Sequence, residues 1–125
     1  MLLFNLAAQL LTRRERDFSC FSRLCSCSRL ANTAHSDVVV EPIGADGKSL
    51  STNVPALVVE VLSKTSRQRD LGAKPVEYTS LDSMHAYIVA SQDGPECWIW
   101  ARGADRTFPV EAERVAGRDK MVAVP

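Results

Sequence analysis

Apolar positions recur with two different periods along the chain, and each change of period predicts an element. Near the start, Leu3, Leu6, Ala7, Leu10 and Leu11 fall at helical spacing, with charge from Arg13 to Asp17. This predicts one amphipathic helix of about four turns, suited to covering a sheet. Phe18 to Ala34 shows neither period and is rich in Ser, Cys and Arg, so it reads as loop or poorly ordered chain. Asp37-Val38-Val39-Val40-Glu41 predicts a short strand, closed by Pro42 and the turn residues Gly44-Ala45-Asp46-Gly47. Pro55 precedes the strongest strand pattern, Ala56 to Leu62. The polar stretch Ser63 to Ser83 carries Leu71, Val76, Tyr78 and Leu81 at helical spacing. Ala86 to Ala90 predicts another strand, Gln92 to Pro95 a turn, and Cys97 to Arg102 a strand paired with its predecessor as a hairpin. Met121 to Val124 is expected as an edge strand. Strand, helix and strand from Ala56 to Ala90 form a crossover unit, so the fold class is α/β with a mixed sheet.

Composition narrows this picture only a little. The 125 residues suit one domain, and 46% hydrophobic residues are enough for a modest core. Lys+Arg and Asp+Glu balance at 15 each. A protein holding nucleic acid mainly by counterion release would usually be more basic. An enzyme with carboxylates at its centre and local positive charge elsewhere is still compatible with neutrality. No stretch approaches the ~20 apolar residues of a membrane helix. Residues 1–11 lack a basic flank and a small-residue cleavage site, so the expectation is a cytoplasmic protein away from membranes. Cys20, Cys25, Cys27 and Cys97 match no common zinc spacing and read as reduced, incidental thiols.

Glu60 is the most informative residue. Alternation along its strand puts Leu57, Val59 and Val61 on one face and Val58, Glu60 and Leu62 on the other. Both faces are apolar, as in a strand covered on both sides. A carboxylate on such a face must be paired, protonated or metal-bound. The plainer alternatives are a face that opens to solvent, or an Arg or Lys partner. Asp37 heads a neighbouring apolar strand, and two carboxylates across the roughly 5 Å interstrand spacing repel unless a cation lies between them. A hard divalent ion, Mg2+ or Mn2+, suits such a pair. Read alone, Asp37 is an ordinary strand-edge aspartate. Asp70, Lys74 and Tyr78 stand at i, i+4 and i+8 on one helix face, directly after the Glu60 strand. Their plainer reading is an exposed ion pair worth a few tenths of a kcal/mol. Trp98, Trp100 and Arg102 share a strand face, which favours core packing over a base-stacking platform. His35 and His85 lack partners at metal spacing and read as surface or turn residues.

Taken together, Ser36-Asp37-Val38-Val39-Val40, Pro55 to Ser63 with its Glu60-Val61-Leu62, and Asp70-…-Lys74-…-Tyr78 resemble the bacterial Uma family. That family is a restriction-endonuclease-like branch of the PD-(D/E)XK nuclease superfamily. The resemblance implies a single restriction-endonuclease-like domain over 1–125, a mixed β-sheet flanked by helices. Residues 36–100 carry the resemblance, and 1–34 are atypical. It implies a metal-dependent DNA endonuclease, with Asp37 and Glu60 as metal-binding carboxylates and the Val61 carbonyl beside them. Lys74 would be the catalytic lysine, taking the place of the lysine that most of the superfamily has where Leu62 stands. It would orient or deprotonate the attacking water, or stabilise the transition state. Asp70 and Tyr78 would support Lys74. The implied cofactor is Mg2+ or Mn2+, the implied partner is DNA, and a homodimer is admitted.

Departures from the family pattern are specific. Family members usually have a longer N-terminal part, so the resemblance is to a shortened member. The Ser19 to Ser28 patch stands where they have strand, Lys64 where they often have proline, and Pro75 where a helix-compatible residue is expected. Proline inside a helix costs about 3 kcal/mol unless it lies in the first turn, so either the helix starts near Lys74 or Lys74 is displaced. Two other readings follow: a catalytically inactive remnant of the same fold, or an interaction domain using an exposed Trp98 or Trp100.

Overall fold

The computed structural model describes residues 18–27, 34–42, 51–52 and 54–120. The helix expected near Leu3 to Leu11 and the strand expected at Met121 to Val124 lie outside these residues. Among the described residues seven strands form one mixed sheet in the order β3-β1-β2-β4-β5-β6-β7. They are β1 (Phe18–Cys27), β2 (Ala34–Pro42), β3 (Ser51–Thr52), β4 (Leu57–Leu62), β5 (Ala86–Ser91), β6 (Glu96–Ala101) and β7 (Glu113–Ala116). β4 pairs antiparallel with β2 and parallel with β5, as a crossover unit requires. β5 and β6 form the expected hairpin, and β7 pairs antiparallel with the far side of β6.

The expectation of loop over Phe18 to Ala34 is corrected, because its first ten residues are β1. β1 pairs antiparallel with β2 from Phe18↔Pro42 to Cys27↔Ala34. The apolar β2 supplies a ladder that satisfies the backbone of a segment with little strand propensity of its own, which is the usual way context overrides that propensity. The register slips once: Ser22 faces Val38 but Cys25 faces Ser36, so β1 carries one extra residue opposite Asp37. A bulge of this kind bends the strand, and bulges are over-represented beside active sites.

β4 is buried on both faces, and the faces are those the alternation predicted. Val58 and Leu62 pack with Val39, Tyr78, Leu81, Met84, Tyr87, Val89 and Trp100. Leu57 and Val59 pack with Val38, Ala86, Ile88 and Ile99. Each such side chain contributes about 1.5–3 kcal/mol when fully buried. Tyr78 stacks on Tyr87 with ring centroids 5.1 Å apart, and Tyr87 meets Trp100 at 5.6 Å. Trp100 is therefore core, as expected, while Trp98 is only half-buried at the edge of the same cluster. Arg102 anchors the β6 end: its guanidinium donates to the carbonyls of Met84, Leu81 and Arg106 and lies over the Phe108 ring.

The helical segment after β4 is shorter and less regular than its apolar spacing predicted. It comprises a π-turn, Arg69–Ala73, followed by the six-residue α1, Lys74–Thr79. Pro75 explains the break. In a continuous α-helix it would lack a donor for the Leu71 carbonyl and its ring would press on that carbonyl. The π-turn instead sends the Lys74 N–H to the Arg69 carbonyl, and Pro75 falls in the first turn of α1, where proline is tolerated. The helical backbone already begins at Arg67, so Lys74 does not open it; the π-turn is a third outcome, one that accommodates Pro75 and leaves Lys74 in contact with Glu60. Val76, expected on the apolar face, is instead exposed. Among the described residues no helix is long and apolar enough to cross a membrane.

Candidate active site

Glu60, Lys74 and Asp70 meet beneath the helical segment, all three almost fully buried. Lys74 Nζ lies 3.1 Å from Glu60 Oε1 and 2.8 Å from Asp70 Oδ1. The contact to Glu60 is a directed hydrogen bond. The contact to Asp70 is closer but its Oδ1 lies off the hydrogen-bonding direction, so it acts chiefly as an ion pair. Of the alternatives for Glu60, a basic partner on a covered face is what the fold provides. The Asp70/Lys74 pair is buried, not exposed.

Asp37 sits at the rim of this cluster. The β2–β4 ladder ends at Val38↔Val59. One position further, Asp37 Oδ2 accepts the Val61 N–H at 2.7 Å, so a side chain replaces the backbone ladder where the two strands part. Continuing the register by one places Asp37 opposite Glu60, as the sequence suggested. The Asp37 side chain is exposed, while Glu60 is 4% exposed. Val61 was expected to act through its carbonyl; the contact the structure shows is through its amide.

The charges can be ranked by cause. Burial pushes the Glu60 carboxyl from 4.5 to about 7; Lys74 pulls it down, and the charges of Asp37 and Asp70 push it further up. For Lys74, burial works to lower the ammonium, but the adjoining Asp70 and Glu60 carboxylates outweigh it and hold it above its ordinary range. These directions agree once the partners are separated. Asp70 is what keeps Lys74 charged, and Glu60 is the member of the trio that readily takes a proton.

Asp70 is held in turn by two further contacts. Ser66 Oγ donates to its Oδ2, and Tyr87 Oη donates to its backbone carbonyl at 3.0 Å. Ser66 and Ser63 each accept the other's N–H, at 3.2 and 3.1 Å, in the reciprocal manner of a capping box, and the Ser63 hydroxyl donates to that of Ser66. The chain of contacts leaves β4 at Ser63, passes through Ser66, Asp70 and Lys74, and returns to β4 at Glu60. Tyr78 locks α1 to β2 through a 2.6 Å hydrogen bond between its hydroxyl and that of Ser36. The sequence reading missed Ser63, Ser66 and Ser36. Ser63-x-x-Ser66 directly after an apolar strand is a turn signal that could have flagged the first two. His85 is exposed, as expected of a turn residue. Cys97 is a free, half-buried thiol.

Over residues 2–120 the sequence matches the family described as "Uma2: Putative restriction endonuclease". The chain belongs to the Uma2 family. The match extends well beyond the 36–100 stretch that carries the recognisable motifs. No curated protein matches the chain. Among solved structures it is similar to a protein described as a putative nuclease belonging to DUF820, from Anabaena variabilis. The TM-score is 0.65 at 15% sequence identity, with 94% of this chain and 65% of that chain covered. At that identity the likeness speaks for the fold, and the Uma2 chain has the nuclease-like α/β architecture expected of it. It spans about 65% of that relative's length.

Proposed function

We propose that this Uma2 protein is a metal-dependent DNA endonuclease that hydrolyses phosphodiester bonds. Asp37 and Glu60 bind the metal, Lys74 is the catalytic cation, and Asp70 and Tyr78 position it. The observation that carries the reading is the 3.1 Å contact between Lys74 and Glu60, with Asp37 in register on the adjacent strand. A lysine and two carboxylates from three elements converge where β2 and β4 part.

The donor set fits Mg2+ or Mn2+. Both prefer hard oxygen ligands, and Mg2+ usually takes one or two carboxylates, completing its shell with water and substrate phosphate. Among the described residues no group of three or more His, Cys, Asp or Glu is gathered to hold an ion. In this reading the protein's share is Asp37 and Glu60, with the Val61 carbonyl as a further donor. When bound, the ion supplies an acidified water and polarises the scissile phosphate.

The chain's own residues set the rest. Asp70 holds Lys74 charged, which suits it to stabilise negative charge on the phosphorane-like transition state and to orient water, rather than to remove a proton. In hydrolysis the water oxygen forms a bond to phosphorus, the bond to the leaving oxygen breaks, and the water's proton passes to solvent or to the leaving group. The Ser63–Ser66–Asp70 chain fixes Lys74 during this step.

A second reading rests on the same trio: Lys74 is closer to Asp70 than to Glu60, which favours a buried ion-pair cluster that serves the fold alone. Plasmid nicking by purified protein with Mn2+, beside Glu60→Ala, separates the two. Cleavage by the wild type and none by the variant supports the nuclease; no cleavage by either, from folded protein, supports the structural cluster.

A further inference from the structure

The sheet register puts the candidate catalytic carboxylates in one row with a half-buried tryptophan. Glu60 pairs with Val89 across β4 and β5, Val89 with Trp98 across β5 and β6, and Trp98 with Arg114 across β6 and β7. Paired residues share a sheet face, so Asp37, Glu60, Val89, Trp98 and Arg114 form a line across the strands. At about 4.8 Å per strand, Trp98 stands about 10 Å from Glu60. That is about three base steps at 3.4 Å along a nucleic-acid strand.

Beside Trp98 the surface opens into a groove of about 430 Å³, at the ends of β4 and β5. Its charged and aromatic lining is Lys64, Arg67, Trp98 and Arg114 together with the carboxylates of Asp93 and Glu96, and Ser63 also borders it. Arg67 is exposed and its guanidinium lies 5.6 Å from the Trp98 ring centroid. Arg114 is taken up by Glu96. Lys64 is exposed and makes no ion pair among the described residues. The groove thus offers an aromatic face, an exposed guanidinium above it and an exposed ammonium at its edge, with Glu96 already paired to Arg114 and Asp93 as the remaining carboxylate. It also touches Ser63, the start of the contact chain that holds Lys74. The volume falls within the range of small-ligand sites. Aromatic rings flanked by cations are how proteins stack unpaired nucleotides while holding their phosphates.

We propose that this groove is a subsite for an unstacked nucleotide of the DNA strand near the scissile phosphate. The base lies on Trp98 in place of Arg67, and Arg67 and Lys64 hold the flanking phosphates. The proposal rests on the nuclease reading and refines its substrate class: DNA with an unpaired or distorted segment is preferred over regular duplex.

The test is a tryptophan fluorescence titration of the full chain with short oligodeoxythymidine and with a blunt duplex, in EDTA so that no cleavage occurs. The single strand is expected to quench emission and to bind more tightly than the duplex. Trp98→Phe should keep the affinity but lose the quench, because the remaining Trp100 is buried. Trp98→Leu should weaken binding by roughly tenfold. Because Trp98 also touches the core, Arg67→Glu provides a variant at an exposed position, and it should weaken binding to a similar degree. Unchanged affinity in Arg67→Glu, or a single strand that binds without quenching Trp98, overturns the subsite. Plasmid nicking scored in parallel keeps the two readings apart. Nicking without Trp98 involvement overturns the subsite alone, whereas quenching without nicking supports the subsite and removes the nuclease.

Discussion

Replacing Glu60 by glutamine keeps the shape of the side chain and its capacity to accept from Lys74, and removes only the charge. In the folded protein the Glu60 carboxyl sits at about 7, against 4.5 in the unfolded chain. The folded state therefore keeps a proton between pH 4.5 and 7 that the unfolded state has already lost. Glu60's contribution is fully favourable below about 4.5, declines as pH rises through that window, and is gone above about 7. At about 1.4 kcal/mol per pH unit, the displacement amounts to about 3 kcal/mol, an order-of-magnitude figure for a buried group. Urea unfolding in EDTA from pH 5 to pH 8 is the assay. Relative to Glu60→Gln, the wild type should lose about 3 kcal/mol across this range, equivalent to roughly 10 °C in Tm for a domain of this size. Parallel stability curves for the two proteins would refute the burial argument. Adding Mn2+ at pH 8 extends the test. An ion at a hundred times its Kd stabilises the folded state by about 2.7 kcal/mol, so it should restore the wild type and leave the glutamine variant unmoved. Binding should also release protons near neutral pH, because the ion displaces the one Glu60 holds. A pH gap that Mn2+ does not close would leave the buried carboxyl in place and remove the metal site.

Three further outcomes test the arrangement around it. Lys74→Met leaves Asp70 and Glu60 buried without a cation. It should destabilise the protein by about 3–5 kcal/mol at pH 8 in urea denaturation, and abolish plasmid cleavage while Mn2+ still binds. Ser66→Ala removes the donor to Asp70 Oδ2 and half of the reciprocal Ser63–Ser66 pair. It should cost about 1–2 kcal/mol and lower cleavage; a variant as stable and active as the wild type would show the chain of serines to be incidental. Arg102→Lys loses the planar fork that spans the carbonyls of Leu81, Met84 and Arg106. It should lower stability by about 2 kcal/mol in the same assay, with metal affinity unchanged.

Much of this arrangement is legible in the chain itself. Alternation over Ala56 to Leu62 marks a strand covered on both sides with one carboxylate in the wrong place, and the i, i+4, i+8 spacing of Asp70, Lys74 and Tyr78 marks the face that turns towards it. These are local properties, because side-chain direction follows the two-residue period of a strand and the 3.6-residue period of a helix. Only the tertiary structure decides the rest. Serine- and cysteine-rich β1 becomes a strand because β2 completes its hydrogen bonds, a partner that no local window contains. Pro75 is absorbed by a π-turn whose Asp70 carbonyl is held by Tyr87 of β5 and which is followed by Lys74 reaching Glu60 of β4, contacts that no local window contains. The partition of charge, with Lys74 held by Asp70 and Glu60 left near neutrality, depends on burial, and burial is set by what packs against a residue rather than by the residue itself.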